Sequence, residues 1–132
     1  MSRHTAIRTA VIKALKPYTG SLTVHDGRPV FLSEEELPAI AVYLTNAVPC
    51  SELLDEELWE AVLHIEIFLK ATHPDSALDI WVEEKIRPAM LSAQVLDALT
   101  ESIQPSGYDY QRDDEMSLWG SADITYRLIY SI

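Results

Sequence analysis

Four acidic residues gather near the end of the chain, where Asp109, Asp113, Asp114 and Glu115 occupy one short stretch. Carboxylates at that density bind hard cations such as Mg²⁺ or Ca²⁺ through oxygen. A divalent ion held by Asp109, Asp113 and Asp114 would be the centre of a small metal-dependent hydrolase or lyase. The residues do not follow the D-x-D-x-D-G-x5-E order of a calcium loop. Asp and Glu between a Tyr-rich and a Trp-led strand are also the ordinary content of a solvated turn. The stretch is therefore read as a hairpin tip, with Asp113 and Asp114 as the metal candidates and no catalytic or cofactor-binding residue assigned.

The other reactive side chains are dispersed. His64-Ile65-Glu66 matches the H-x-E of zinc deaminases, but no C-x-x-C follows to complete a zinc site. On a strand these two side chains share one half-polar face, so both are expected to be ordinary surface residues. His4, His25, His64 and His73 fall on different elements, and no H-E-x-x-H pair occurs. Cys50 is the only cysteine, which rules out an intrachain disulfide and a cysteine-based zinc cage. Neither a P-loop, a dinucleotide fingerprint nor a nucleophile elbow is present, so nucleotide enzymes are disfavoured.

Composition sets the wider limits. A chain of 132 residues with 48% hydrophobic and 23% charged side chains is globular in make-up, and one domain spanning 1–132 is expected. With 21 acidic and 10 scattered basic residues the formal charge is −11, which repels phosphate backbones. No apolar run approaches the ~20 residues of a bilayer span, and the N-terminus lacks an apolar signal core. A cytoplasmic protein with neither nucleic-acid nor membrane partners is the expectation.

Periodicity supplies the elements that must position these groups. Ile7, Ala10, Val11, Ala14 and Leu15 predict a helix over 5–16, capped by Thr5 and stopped by Pro17. Residues 21–25 read as an edge strand before the Asp26-Gly27 turn. The apolar run 39–44 reads as a central strand, followed by an acidic connection over 45–57. Between Leu58 and Lys70, Trp59, Ala61, Leu63, Ile65, Ile67 and Leu69 alternate with Glu60, Val62, His64 and Glu66, which predicts a strand with one dry face. A helix starts at Pro74 and is interrupted at Pro88; a second covers 92–103 and is broken by Pro105-Ser106-Gly107. Two strands finish the chain. The order α-β-β-β-α-α-β-β predicts an α/β (α+β) sandwich, with a four- to five-stranded antiparallel or mixed sheet and helices packed on one face.

Several segments together, "DGRPVF", "LPAIAVYLT", "ELWEAVLHIEIFL", "PDSALDIWVEEKIRPAM" and "SGYDYQRDDEMSLWGSADITYRLIY", resemble the minor tail protein U family, the tail terminators of lambda-like long-tailed bacteriophages. The similarity runs over nearly the whole chain in one order. It implies a non-enzymatic role: a homo-hexameric ring at the head-proximal end of the tail that stops tube polymerisation and offers a surface for head attachment. The partners implied are further copies of the chain, the tail tube protein, the head-tail joining protein and the tape-measure protein. Assembly takes place in the host cytoplasm. A head-tail connector of similar architecture is the neighbouring alternative, and the divalent-metal enzyme is the alternative of a different class.

Ring formation raises an electrostatic problem. Each of six copies would carry −11, and like charges within a Debye length of ~10 Å repel unless paired or screened. The acidic runs Asp55, Glu56, Glu57 and Asp113, Asp114, Glu115 are therefore expected near subunit or tube contacts, met by Arg28, Arg112, partner cations or an ion such as Mg²⁺. Trp59, Trp81 and Trp119 are read as core residues rather than contact anchors.

Overall fold

A computed structural model describes residues 2–29, 32–50, 57–112 and 119–132, with the backbone alone described at 34, 94, 95, 112 and 119. Helix α1, Arg3–Thr19, is capped by Ser2, whose hydroxyl accepts from the Thr5 backbone N–H. It continues past Pro17 to Gly20, which closes the last turn at φ 62° by donating its N–H to the Lys16 carbonyl. The expected stop at Pro17 was misplaced because a proline in the last turn forfeits little, whereas the left-handed glycine is the true end signal.

Strand β1, Thr23–Asp26, runs parallel to β2, Ala39–Pro49, and every other pairing is antiparallel. With β3, Leu58–Lys70, β4, Ser102–Arg112, and β5, Trp119–Ser131, the sheet order is β1-β2-β3-β5-β4. β1 is thus the expected edge strand. β2 runs beyond 44 into the segment read as a loop, because a bulge between Thr45 and Val48, with Asn46 at φ 57°, absorbs the irregular register.

Between β3 and β4 lie α2, Pro74–Ile80, a π-helical stretch Trp81–Ile86, and α3, Arg87–Leu91. The helical run does not break at Pro88. The wider π register, in which the Arg87 N–H reaches the Val82 carbonyl, leads into a proline that has no N–H to give. A short α4 covers only Gln94–Leu99. Ile103, Pro105 and Gly107, read as a helix end and its breaker, belong instead to β4, where a register shift between Pro105 and Gly107 accommodates the proline on an edge strand.

The helices cover one face of the sheet. Ala61, Leu63, Ile65 and Ile67 of β3 meet Ile7, Val11 and Leu15 of α1 and Leu78, Val82, Ile86 and Ala89 of the second helical run, all fully buried. Each such Leu or Ile is worth about 1.5–3 kcal/mol relative to exposure, so this interface dominates the stability. Trp59 and Trp81 pack against the same core.

Candidate functional site

The helix-free face carries the polar half of the β3 alternation, and it is not ordinary surface. Glu66 is only 3% exposed. Cross-strand register places Tyr43 opposite His64 and Ala41 opposite Glu66 on β2, and Thr125 and Asp123 opposite the same pair on β5. Side chains from three strands therefore converge.

Two hydrogen-bonded chains result. The Tyr43 hydroxyl donates to Glu66 Oε1 at 2.8 Å and the Ser121 hydroxyl to Glu66 Oε2 at 3.0 Å. His64 Nδ1 lies 2.8 Å from Asp123 Oδ2, and Nε2 lies 2.7 Å from Thr45 Oγ1. A carboxylate only accepts, so Nδ1 carries a proton towards Asp123, while Nε2 pairs with the Thr45 hydroxyl. The His64 ring stacks on Tyr43 at 4.6 Å between centroids, with Arg28 above the other ring system at 5.8 Å from the Tyr43 centroid. Burial first, and the bond to Glu66 second, hold the Tyr43 phenol well above its usual pKa. Nearby, Arg127 donates to both oxygens of Glu60 at 2.8 and 3.1 Å, which lowers the Glu60 carboxyl pKa.

The order hydroxyl, imidazole, carboxylate is the connectivity of a nucleophilic triad. Its setting argues against that use. Thr45 is the last regularly paired residue before the β2 bulge, and its hydroxyl is engaged by His64. Two adjoining clefts of about 420 and 380 Å³ share Leu37, Pro38 and Trp81, and neither includes a member of this chain. What the arrangement does is tie β2, β3 and β5 together on the face that no helix covers.

The acidic candidates separate. Asp109 is not at a bend; it lies inside β4, exposed, and directly opposite Asp123 of β5. Asp113, Asp114 and Glu115 lie outside the described residues, as do Asp55 and Glu56. Glu57 accepts the Trp59 indole N–H at 2.8 Å. Arg112 closes β4, in register with Gly120, and Arg28 sits over Tyr43. Among the described residues no group of three or more His, Cys, Asp or Glu side chains is arranged to hold a metal ion. Cys50 is exposed.

A second feature arises from sheet order and has no local sequence signal. β4 is exposed from Gln104 to Gln111 and forms an open edge of the sheet. Tyr108 and Tyr110 pack edge-to-face at 5.5 Å, and the Tyr110 hydroxyl donates to Asp79 of α2. That bond, with a lesser contribution from Tyr108, raises the Tyr110 pKa. Ile80 and Leu91 stand exposed along the adjoining helices.

Among the described residues, a mixed five-stranded sheet is backed by helices on one face and leaves the β4 edge open. The chain belongs to the phage minor tail protein U family, which matches residues 2–130. It is 48% identical over 130 residues to the tail tube terminator protein of Escherichia phage lambda, spanning 98% of this chain and 99% of that protein. The tail tube terminator protein of Escherichia phage N15 is 45% identical over 131 residues, with the same coverage. Among solved structures, a chain of the virion of a native gene transfer agent particle shares the fold at TM-score 0.54 and 13% identity, over 96% of both chains.

Proposed function

We propose that this protein terminates the phage tail tube: copies assemble into a hexameric ring on the head-proximal end of the completed tube, stop subunit addition and present the face to which the head joins. The observation that supports this most is the end-to-end similarity to two tail tube terminator proteins. Its partners on this reading are the tail tube protein, the head-tail joining protein and the tape-measure protein, and its place is the virion tail after assembly in the host cytoplasm.

The reading is tested by counting and locating the protein in purified virions. Radiolabelled virions should contain six copies each, and gold labelling should mark the head-proximal end of the tail. Labelling spread along the tube, or a copy number far from six, would contradict it. The acidic runs Asp55–Glu57 and Asp113–Glu115 are part of the same proposal, with a divalent ion such as Mg²⁺ or the cations Arg28 and Arg112 offsetting repulsion as the ring closes. Sedimentation should then show ring formation that depends on salt and Mg²⁺, and assembly indifferent to both, together with silent Asp→Asn changes in both runs, would remove that part.

A further inference from the structure

A closed ring of identical copies needs two different patches per copy that fit each other, since each contact is head-to-tail. The two lateral ends of this sheet differ in that way. At one end, α1 lies over β1 and β2, tied to the β1 edge by an Arg8–Asp26 ion pair at 2.6 Å. Its sequence holds Arg3, Arg8, Lys13 and Lys16 and no acidic residue, in a chain that has only 10 basic residues against 21 acidic ones. Lys13 and Lys16 are exposed. Around β1 itself the charges are mixed, with Asp26 paired to Arg8 and Glu36 3.8 Å from His25. The cationic surface is therefore the outward side of α1.

The opposite end is apolar and acidic. Ile80 is 50% exposed, and Tyr108 and Tyr110 are each 41% exposed beside the β4 edge, which is unpaired among the described residues. An edge strand exposed from Gln104 to Gln111 is a surface that folded proteins ordinarily cover. Tyr110 contacts Asp79, and the exposed Glu83 and Glu84 follow Asp79 about one turn further along the same helical run. Two basic residues share this helical run: Lys85, whose ammonium lies over the Trp81 ring, and Arg87, which lines a small cleft with Ile103 and Pro105.

We propose that the ring closes by seating the β4 end of one copy, with Tyr108, Tyr110 and Ile80 at its centre and Glu83 and Glu84 at its rim, on the cationic outer side of α1 of the next copy. This rests on the ring reading above and names its contact. It also resolves the charge problem. The strongest local concentration of positive charge in an acidic chain lies at the far end from an exposed apolar edge rimmed by acids, so head-to-tail contact pairs opposite charges while like-to-like contact opposes it.

The experiment is a charge swap read by light scattering and sedimentation, with the unmodified full-length chain as reference and circular dichroism to show that each variant is folded. K13E/K16E makes both ends acidic, and E83K/E84K makes both ends basic. Each alone should lose the hexamer, with association weakened at least tenfold. Mixed in equal amounts they should regain it, because the reversed α1 end of one fits the reversed helix rim of the other, and the two unmodified ends still fit. An alternating ring uses three copies of each. Hexamers formed by either variant alone as readily as by the unmodified chain, or variants that are folded but stay apart when mixed, would overturn the contact while leaving the ring intact. Failure of the unmodified chain to form a ring at any concentration or Mg²⁺ level would overturn both.

Discussion

His64 lies flat against Tyr43, their ring planes 5° apart and their centroids 4.6 Å apart. The stack joins two hydrogen-bonded chains that run across β2, β3 and β5 on the helix-free face of the sheet. One begins at Thr45 and ends at Asp123, and the other links Tyr43, Glu66 and Ser121. Both hold strands in register where no helix packs, and this structural role makes several expectations concrete.

His64→Ala should remove the link between Thr45 and Asp123 and leave both without their partner. A cost of about 1–3 kcal/mol follows from leaving half-buried polar groups unsatisfied, read as a lower midpoint in urea unfolding. Hydrolysis of an activated ester should proceed at the same background rate with and without the substitution. A large drop in that rate would show that the three residues act as a triad.

Glu66 separates charge from hydrogen bonding. Glu66→Ala strands the Tyr43 and Ser121 hydroxyls and should cost about 1–3 kcal/mol. Glu66→Gln keeps an oxygen for Tyr43 and offers an amide N–H to Ser121, so it should cost less than half as much. Equal losses in calorimetric melting would mean that the negative charge itself matters on this face.

Alkaline pH should weaken the fold through Tyr43. Its pKa is raised in the folded state, so above the ordinary value of 10.0 the unfolded chain loses a proton that the native chain still holds. Its contribution is complete below that pH and is lost as pH rises through the folded value. Tyr110, Tyr126 and Tyr130 shift in the same direction. The melting temperature should therefore fall steeply above pH 10, and less steeply in Tyr43→Phe. Parallel curves for the two proteins would contradict the assignment.

Gly120 marks a close approach. A Cβ there would stand 2.9 Å from Pro74 Cβ, where the start of α2 crosses β5. Gly120→Ala should destabilise by about 1–3 kcal/mol, the usual cost of overpacking, seen as a lower urea midpoint with an unchanged slope. A neutral outcome would mean that α2 shifts freely on the sheet.

Much of this architecture is written in local pattern. The strict alternation from Trp59 to Leu69 is enough to place β3 and its dry face, and Gly20, Asp26 and Gly27 punctuate the chain where the structure turns. What local pattern lacks is the neighbour. Glu66 reads as a surface residue because its partners, Tyr43 and Ser121, are brought to it only by the pairing of three strands. Ile103 continues a helical spacing that Pro105 would end, yet the open edge of β4 lets both into the sheet, since an edge strand can spare one N–H. The exposure of Tyr108 and Tyr110 is likewise a property of sheet order. The order β1-β2-β3-β5-β4 puts their strand at the edge, beside β5 alone.

The most direct measurement is the length of tails made by a phage that lacks its own terminator and is supplied with this protein. Electron micrographs should show tails of one normal length, joined to heads. Overlong tubes in cells that contain the soluble, folded protein would contradict the account at its root.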